Sequence, residues 1–339
     1  MSEDVSKELY LKENTNKIIC ADSLKTLKNF PDESIHCCIT SPPYYGLRDY
    51  HKEGQIGREA TVEEYIDRLV QVFREVRRVL KKDGTCFIVI GDSYAGTGSK
   101  GDREDSKNPI GRTGQKVSLS KKMVGYKSKD LMGIPWRLAF ALREDGWYLR
   151  SDIIWHKENA MPESCRDRPT RSYEHVFLLS KSPRYYYDYE AMAEPMKEVS
   201  KKRYVRGRSA NNKYLNKDAG ISVQKINEAR RYGYYKGDNI PQFRNKRDIW
   251  TINTVSFRGN HYAAFPPKLA EICMIAGCPK GGIILDPFVG SGTVGFVALM
   301  QDRKYIGIEL NEKYCKLAMK RIETEVKSLN EKANEIQKE

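Results

Sequence analysis

Ile283 to Leu310 reads IILDPFVGSGTVGFVALMQDRKYIGIEL, and the fold follows from how this stretch is parsed. The apolar run Ile283 to Leu285 stops at Asp286 and Pro287, and Gly290 and Gly292 follow with one residue between them. Thr293 opens an apolar, helix-like segment, and Tyr305 to Leu310 reads as a second strand. The pattern predicts strand, glycine turn, helix and strand, with Glu309 at the tip of the last element, 19 residues after Gly290. Glycines in such a turn let backbone approach a ligand closely, and an acid at that place can take both hydroxyls of a ribose. A nucleoside-type ligand on an α/β sheet is the first expectation, with a plain tight turn as its rival.

Gly295 follows three residues after Gly292, as in dinucleotide sites, but Asp286 stands where a pyrophosphate would have to lie. An anion is badly served there. A cofactor without phosphates and with a positive centre fits better, S-adenosylmethionine being one, whose ammonium and sulfonium would suit Asp286. The same aspartate disfavours a nicotinamide oxidoreductase.

The 339 residues, 40% hydrophobic and 31% charged, suffice for one large domain with a smaller one or long insertions. No run of eighteen apolar residues occurs, and the polar start MSEDVSKELYLKEN does not resemble a signal peptide, so a cytoplasmic protein is expected. The cysteines at 20, 37, 38, 86, 165, 273, 278 and 315 form no CxxC pair and mostly lie in apolar runs, which points to small buried hydrophobes and no metal requirement. A net charge of +14 suggests a polyanionic partner or serves solubility alone.

Taken in order, residues 1–14 read as a frayed lead-in, Lys17 to Ala21 as a strand closed by Asp22 and Ser23, and Leu24, Leu27 and Phe30 as helical. IHCCIT at 35–40 is a buried strand that delivers the chain into Ser41, Pro42, Pro43 and Tyr44. Two adjacent residues without an N–H cannot continue a ladder, so a rigid loop is expected at a strand's C-terminal end, where α/β sheets bind ligands. Glu63 to Leu80 is an amphipathic helix ended by Lys82, Asp83 and Gly84, and Thr85 to Ile90 the next strand. Residues 92–130 lose periodicity and hold nine basic against five acidic side chains, either a mobile DNA-embracing loop or a solvated excursion. A helix over Leu131 to Leu142 and strands over Tyr148 to His156 and Glu174 to Ser180 follow, the strands as an antiparallel edge. Residues 181–250 hold 17 Lys or Arg against 8 Asp or Glu, with nine tyrosines. That mixture suits phosphate contact and base stacking, or a solvated polar subdomain. Periodicity resumes with a helix over Leu269 to Ala276, and a charged helix runs from Glu312 to about Lys332.

Ser41-Pro42-Pro43-Tyr44 explains itself if the substrate is an exocyclic amine on a flipped base. Its nitrogen lone pair is delocalised into the ring, so acceptors must draw the amine toward tetrahedral geometry while the lone pair faces an electrophilic methyl. The Ser41 hydroxyl and Pro42 carbonyl can be those acceptors, aimed by the prolines, and Tyr44 can stack on the base. An ordinary rigid turn with a surface tyrosine is the rival reading.

In these residues the chain resembles the amino-group (cytosine-N4 and adenine-N6) S-adenosylmethionine-dependent DNA methyltransferases, in the class whose catalytic loop precedes the cofactor loop. TSPPYYGLRDY at 40–50 resembles the catalytic motif, DPFVGSGT at 286–293 the methionine-side loop, and HYAAFPPKLAE at 261–271 the segment before it. Ala21-Asp22-Ser23 resembles the loop that takes the adenine amino group, IGIEL at 306–310 the ribose strand, and residues 155–182 a further block near the active site. Serine at the first motif position is similar to the cytosine-N4 form, adenine-N6 enzymes usually carrying aspartate there. The 92–130 insertion and the region after 182 depart from the pattern.

The resemblance implies a Rossmann-like methyltransferase fold of permuted motif order, a mixed seven-stranded sheet with an inserted DNA-recognition region. Its catalytic domain would span 15–182 and 256–330, with target recognition over 183–255 and a polar tail over 331–339. Ser41, Pro42, Pro43 and Tyr44 would be catalytic. Asp22, Ser23, His261, Phe265, Pro266, Asp286, Pro287, Phe288, Gly290, Ser291, Gly292, Thr293, Glu309 and Leu310 would hold S-adenosylmethionine. Apart from the resemblance, the basic composition of 181–250 predicts contacts to the phosphates of double-stranded DNA from some of Lys201, Lys202, Arg203, Arg206 and Arg208. The implied activity is cytosine-N4 methylation beside a restriction endonuclease, by a monomer or weak homodimer; adenine-N6 or RNA methylation and non-catalytic DNA binding are the alternatives.

Overall fold

The computed structural model describes residues 3–47, 52–96, 125–206, 240–255 and 265–336. In chain order the elements are α1 (Glu3–Asn14), β1 (Lys17–Cys20), α2 (Ser23–Leu27), β2 (Ile35–Thr40), α3 (Val62–Val79) and β3 (Leu80–Ile90). Then come α4 (Ile134–Glu144), β4 (Tyr148–His156), β5 (Tyr173–Ser180), α5 (Tyr189–Met192), β6 (Glu194–Pro195) and α6 (Glu198–Arg206). The chain continues with β7 (Phe243–Arg244), β8 (Ile249–Thr251), α7 (Pro267–Gly277), β9 (Ile283–Asp286), α8 (Thr293–Met300), β10 (Lys304–Glu309) and α9 (Glu312–Ile336).

The main sheet has eight strands in the order β1-β10-β9-β2-β3-β5-β4-β8. From β1 to β3 all pairings are parallel; β5 runs antiparallel to β3 and β4, and β8 is parallel to β4. The mixed sheet agrees with the sequence reading, but its edge does not. Ile249–Thr251, assigned by sequence to the recognition region, pairs with Ile154–His156 as an eighth strand. Three residues flanked by a basic, tyrosine-rich tract give too short a periodic signal to be seen.

β2 and β3 are apolar on both faces because helices cover both, so they read as continuous hydrophobic runs. On one face Cys86, Ile88 and Ile90 join Tyr65, Leu69, Phe73 and Val76 of α3 and Leu138 of α4. On the other, Thr85 donates to Gly277 O at the end of α7, and Phe87 abuts the same glycine. α3 begins with a capping box between Thr61 and Glu64 and turns its apolar stripe inward. It ends at Val79 and passes straight into β3, so the expected stop at Lys82-Asp83-Gly84 lies inside the strand.

Residues 3–14, expected to fray, form α1, whose Tyr10 ring sits 5.7 Å from Phe30. α4 starts three residues later than expected, because Gly133 caps it with a left-handed φ of 69° and Asp92 accepts from the N–H groups of Gly133 and Ile134 at 2.9 and 3.0 Å. The supposed tail continues α9 as far as Ile336.

The chain divides into two compact units, residues 1–188 with 248–339, and residues 189–247. The boundaries fall inside the expected 183–255, since Tyr186 and Asp188 donate to Asp83 O and Ala276 O, and Asp248 O accepts from Ile154 N. In the second unit β6 and β7 pair antiparallel and Glu194 meets Arg244, Lys246 and Arg247. Most of the 92–130 segment, residues 97–124, lies outside the described residues.

Candidate functional site

β9 and β2 are adjacent, with Cys37 opposite Ile284 and Cys38 opposite Leu285, although 245 residues separate Ser41 from Asp286. Both strands end at the same edge of the sheet, so the loop Ser41–Tyr44 and the loop Pro287–Gly292 open side by side. Between them is a cavity of about 440 Å³ within the larger unit, a size ordinary for a small-molecule site. Ser41, Pro42, Pro43 and Tyr44 line it, as do Asp22, Ser23, Phe265, Pro287, Phe288, Gly290, Glu309 and Leu310.

Glu309 forms the polar floor of one end. Its Oε2 accepts from Gly290 N at 3.1 Å and its Oε1 from Asn311 N at 2.8 Å, while burial raises its pKa above the ordinary glutamate value. Asp22 caps α2, accepting from Lys25 N at 2.9 Å, and Ser23 Oγ donates to Pro287 O at 2.5 Å, tying the first loop to the last. Two carboxylates framed by Leu24, Phe288 and Leu310 suit a flat, phosphate-free ligand with ribose hydroxyls and positive charge. The residues present therefore fit S-adenosylmethionine.

Asp286 does not face that cavity. At 3% exposure its Oδ1 accepts from Thr40 Oγ1 at 2.6 Å and Phe288 N at 3.1 Å, and burial raises its pKa to about 7. It locks the end of β9 to the end of β2, where sequence reasoning had it facing a sulfonium. Ser291 and Thr293 are also turned away, each 3% exposed and each receiving a 2.9 Å bond from Arg321 of α9. Gly292 has φ 81°, and a Cβ there would meet Ala318 Cβ at 3.1 Å and Ala318 O at 3.2 Å. This glycine permits the close approach of α9. Pro266, buried at the start of α7, is likewise not a cavity-wall residue, and His261 lies outside the described residues.

At the other end, Pro43 O accepts from Tyr65 of α3 at 2.8 Å, fixing the proline loop to the core. The Tyr44 hydroxyl donates to Glu174 Oε2 at 2.5 Å, and burial, then the Glu174 charge, raises its pKa well above that of a free phenol. Its ring is close-packed, for a Cβ on Gly91 would meet Tyr44 Cε2 at 3.0 Å. Trp155, Lys157, Glu174 and Thr254 complete this wall, and none was singled out by sequence. For Trp155, Lys157 and Glu174 the only signal was the block 155–182, whose resemblance named a neighbourhood and no side chain; Thr254 lies outside it. Trp155 Nε1 donates to Ile252 O at 2.7 Å, and Asn159 holds Thr254 through both backbone and side chain, so the wall depends on the unexpected β8.

Of the basic cluster, Lys201 pairs with Glu198 at 2.8 Å on α6, where Lys202, Arg203 and Arg206 also fall. Arg208 lies outside the described residues. Among the described residues no His, Cys, Asp and Glu group could hold a metal ion, and no helix is long and apolar enough to cross a membrane.

A family described as DNA methylase, of the N6/N4 methyltransferase type, matches residues 35–320. The chain is 45% identical over 305 residues to the type II methyltransferase M.Cfr9I of Citrobacter freundii, covering 90% of this chain and 86% of that protein. Among solved structures it is similar to the PvuII DNA methyltransferase (cytosine-N4-specific), with a TM-score of 0.56, 20% identity and coverage of 89% and 84%. It is also similar to a DNA modification methylase of Thermus thermophilus complexed with S-adenosyl-L-methionine, with a TM-score of 0.53, 21% identity and coverage of 91% and 94%. At these identities the structural likeness is one of fold.

Proposed function

The chain belongs to the N6/N4 family of DNA methylases, and from that premise we propose that it moves the methyl group of S-adenosylmethionine to the N4 amine of a flipped cytosine in double-stranded DNA. The observation that carries this reading is one cavity lined by both Glu309 and the Ser41–Tyr44 loop. S-adenosylmethionine, when bound, supplies an electrophilic methyl on a sulfonium. Glu309 accepts from the ribose hydroxyls, Asp22 from the adenine amine, and Phe288 and Leu310 form apolar walls. The Ser41 hydroxyl and Pro42 carbonyl accept from the target amine and draw its lone pair out of the ring, the prolines holding both in place before the base arrives. Tyr44, tethered through Glu174, presents its ring to the extruded base and offsets part of the cost of unstacking. α6 contacts DNA phosphates in a target-recognition unit. The similarity to a type II methyltransferase supports a role beside a restriction endonuclease, without a stable complex. A monomer or weak homodimer is part of the same proposal.

Single-turnover methylation of duplex DNA with a labelled methyl donor, followed by nucleoside mass spectrometry, tests the assignment. N4-methylcytosine is the expected product, and N6-methyladenine as the sole product overturns the acceptor. Ser41→Ala is expected to slow the chemical step by roughly 10²–10³ at unchanged cofactor affinity, as for other lost transition-state acceptors.

A further inference from the structure

Lys157 and Glu174 form an ion pair at the cavity wall with side chains only 16% and 19% exposed. Glu174 lies opposite Trp155 in the β4–β5 register, and the Lys157 ammonium stands 4.1 Å from the centre of that indole ring. Withdrawing two charges from water costs desolvation that their attraction only partly offsets, so stability alone does not account for such a pair beside a cavity. An ammonium has three N–H donors; the carboxylate takes one and the ring face steadies the charge. The same carboxylate accepts from Tyr44, so the ammonium is linked by two consecutive hydrogen bonds to the loop that carries Ser41 and Pro42. A donor that lines the same cavity as these acceptors for an amine has a natural complement. Beside its N4 amine, cytosine carries two acceptors, N3 and then O2, whereas adenine carries N1 and then a C–H.

Resting on the reading above, we propose that Lys157 is a specificity-determining residue, aimed by Glu174 and Trp155 to donate to the N3 and O2 edge of the flipped cytosine while Ser41 and Pro42 take its amine. A site that hydrogen-bonds a substrate group rejects the analogue lacking it, because the site's own polar group is left without its partner. Adenine would leave the part of this donor set that meets O2 facing a C–H.

The test compares the native enzyme with Lys157→Met on duplexes whose target base is cytosine, 3-deazacytosine, which lacks the N3 acceptor, or a 2-aminopyridine C-nucleoside, which lacks O2. On cytosine the variant is expected to methylate on the order of 10- to 100-fold more slowly in a single turnover. On at least one analogue the two enzymes should react at similar rates, because the acceptor is already gone. Cofactor affinity by calorimetry and the melting temperature should be those of the native enzyme; if Lys157→Met does not fold, Lys157→Arg, which keeps the charge and displaces the donors, takes its place. An equal loss on all three bases, or no loss on cytosine, overturns the assignment. Failure of the native enzyme to methylate cytosine at all would overturn the functional reading instead, and the native cytosine measurement reports that separately.

Discussion

Two carboxylates 23 residues apart in sequence have opposite duties at the residue scale. Glu309 is oriented by two backbone N–H groups toward the cavity, so Glu309→Ala should weaken S-adenosylmethionine binding by about 1.5–3 kcal/mol through lost charge-assisted bonds to ribose. Unchanged affinity in a calorimetric titration would remove Glu309 from the site. Asp286 instead couples stability to pH. A carboxyl with an unfolded pKa of about 3.9 and a folded value raised to about 7 binds its proton more tightly in the native state. Its stabilisation is complete below about pH 4 and is lost as pH rises toward and through 7, on the order of a few kcal/mol in total. Asp286→Asn cannot ionise, so its urea midpoint should decline less between pH 4.5 and 7.5 than that of the native chain. Parallel profiles would mean that burial leaves the Asp286 titration unaltered. None of this was legible in DPFVGSGT, because a motif gives residue types and order but not which way a carboxylate turns once Thr40, 246 positions away, is beside it.

At the scale of elements, the loop Pro287–Gly292 is held from behind by α9. Gly292 combines φ 81° with a Cβ position 3.1–3.2 Å from Ala318 and Ile322, so Gly292→Ala meets both backbone strain and a crowded neighbour. A stability loss of about 2 kcal/mol is expected from denaturant unfolding, with a weakened cofactor site because the Gly290 N–H sits two residues away. An unperturbed melt would show that α9 yields freely. The strands over Ile35–Thr40, Ile283–Asp286 and Lys304–Glu309, and the stripe of α3, were readable from sequence because burial on both faces or on one imposes an apolar pattern. α1 and β8 were not. Among the described residues of α1 only Tyr10 and Leu11 pack on the core, Tyr10 against Phe30, while β8 pairs with the edge of β4. Sequence proximity carries neither fact. The adjacency of β2 and β9 has no local signal in the sequence, since a parallel sheet records spatial and not sequential order.

For the whole molecule, most of the +14 charge excess lies in residues 181–250, with 17 Lys or Arg against 8 Asp or Glu. The cavity lined by Ser41–Tyr44 and Glu309 lies in the other unit, so the division of labour proposed above assigns grip on DNA and methyl transfer to different parts of the chain. Phosphate contacts release counterions and carry no sequence information, whereas base contacts do the reverse. Neutralising Lys201, Lys202 and Arg203 together to Gln should therefore weaken binding to target and random duplexes by similar factors. Removing one phosphate-neutralising charge should flatten the slope of log affinity against log salt by about 0.9, so a reduction of about 2–3 is expected for the triple variant. Lys201 shifts the figure toward the lower end, because Glu198 already holds its ammonium at 2.8 Å and a phosphate must displace that partner. Glu198→Gln, which frees Lys201, should tighten non-specific binding in the native background and not in the triple variant. Binding titrations over a range of salt concentrations measure both effects. A salt slope unchanged by the triple substitution would make this cluster a solvated face and move the phosphate contacts elsewhere on the chain.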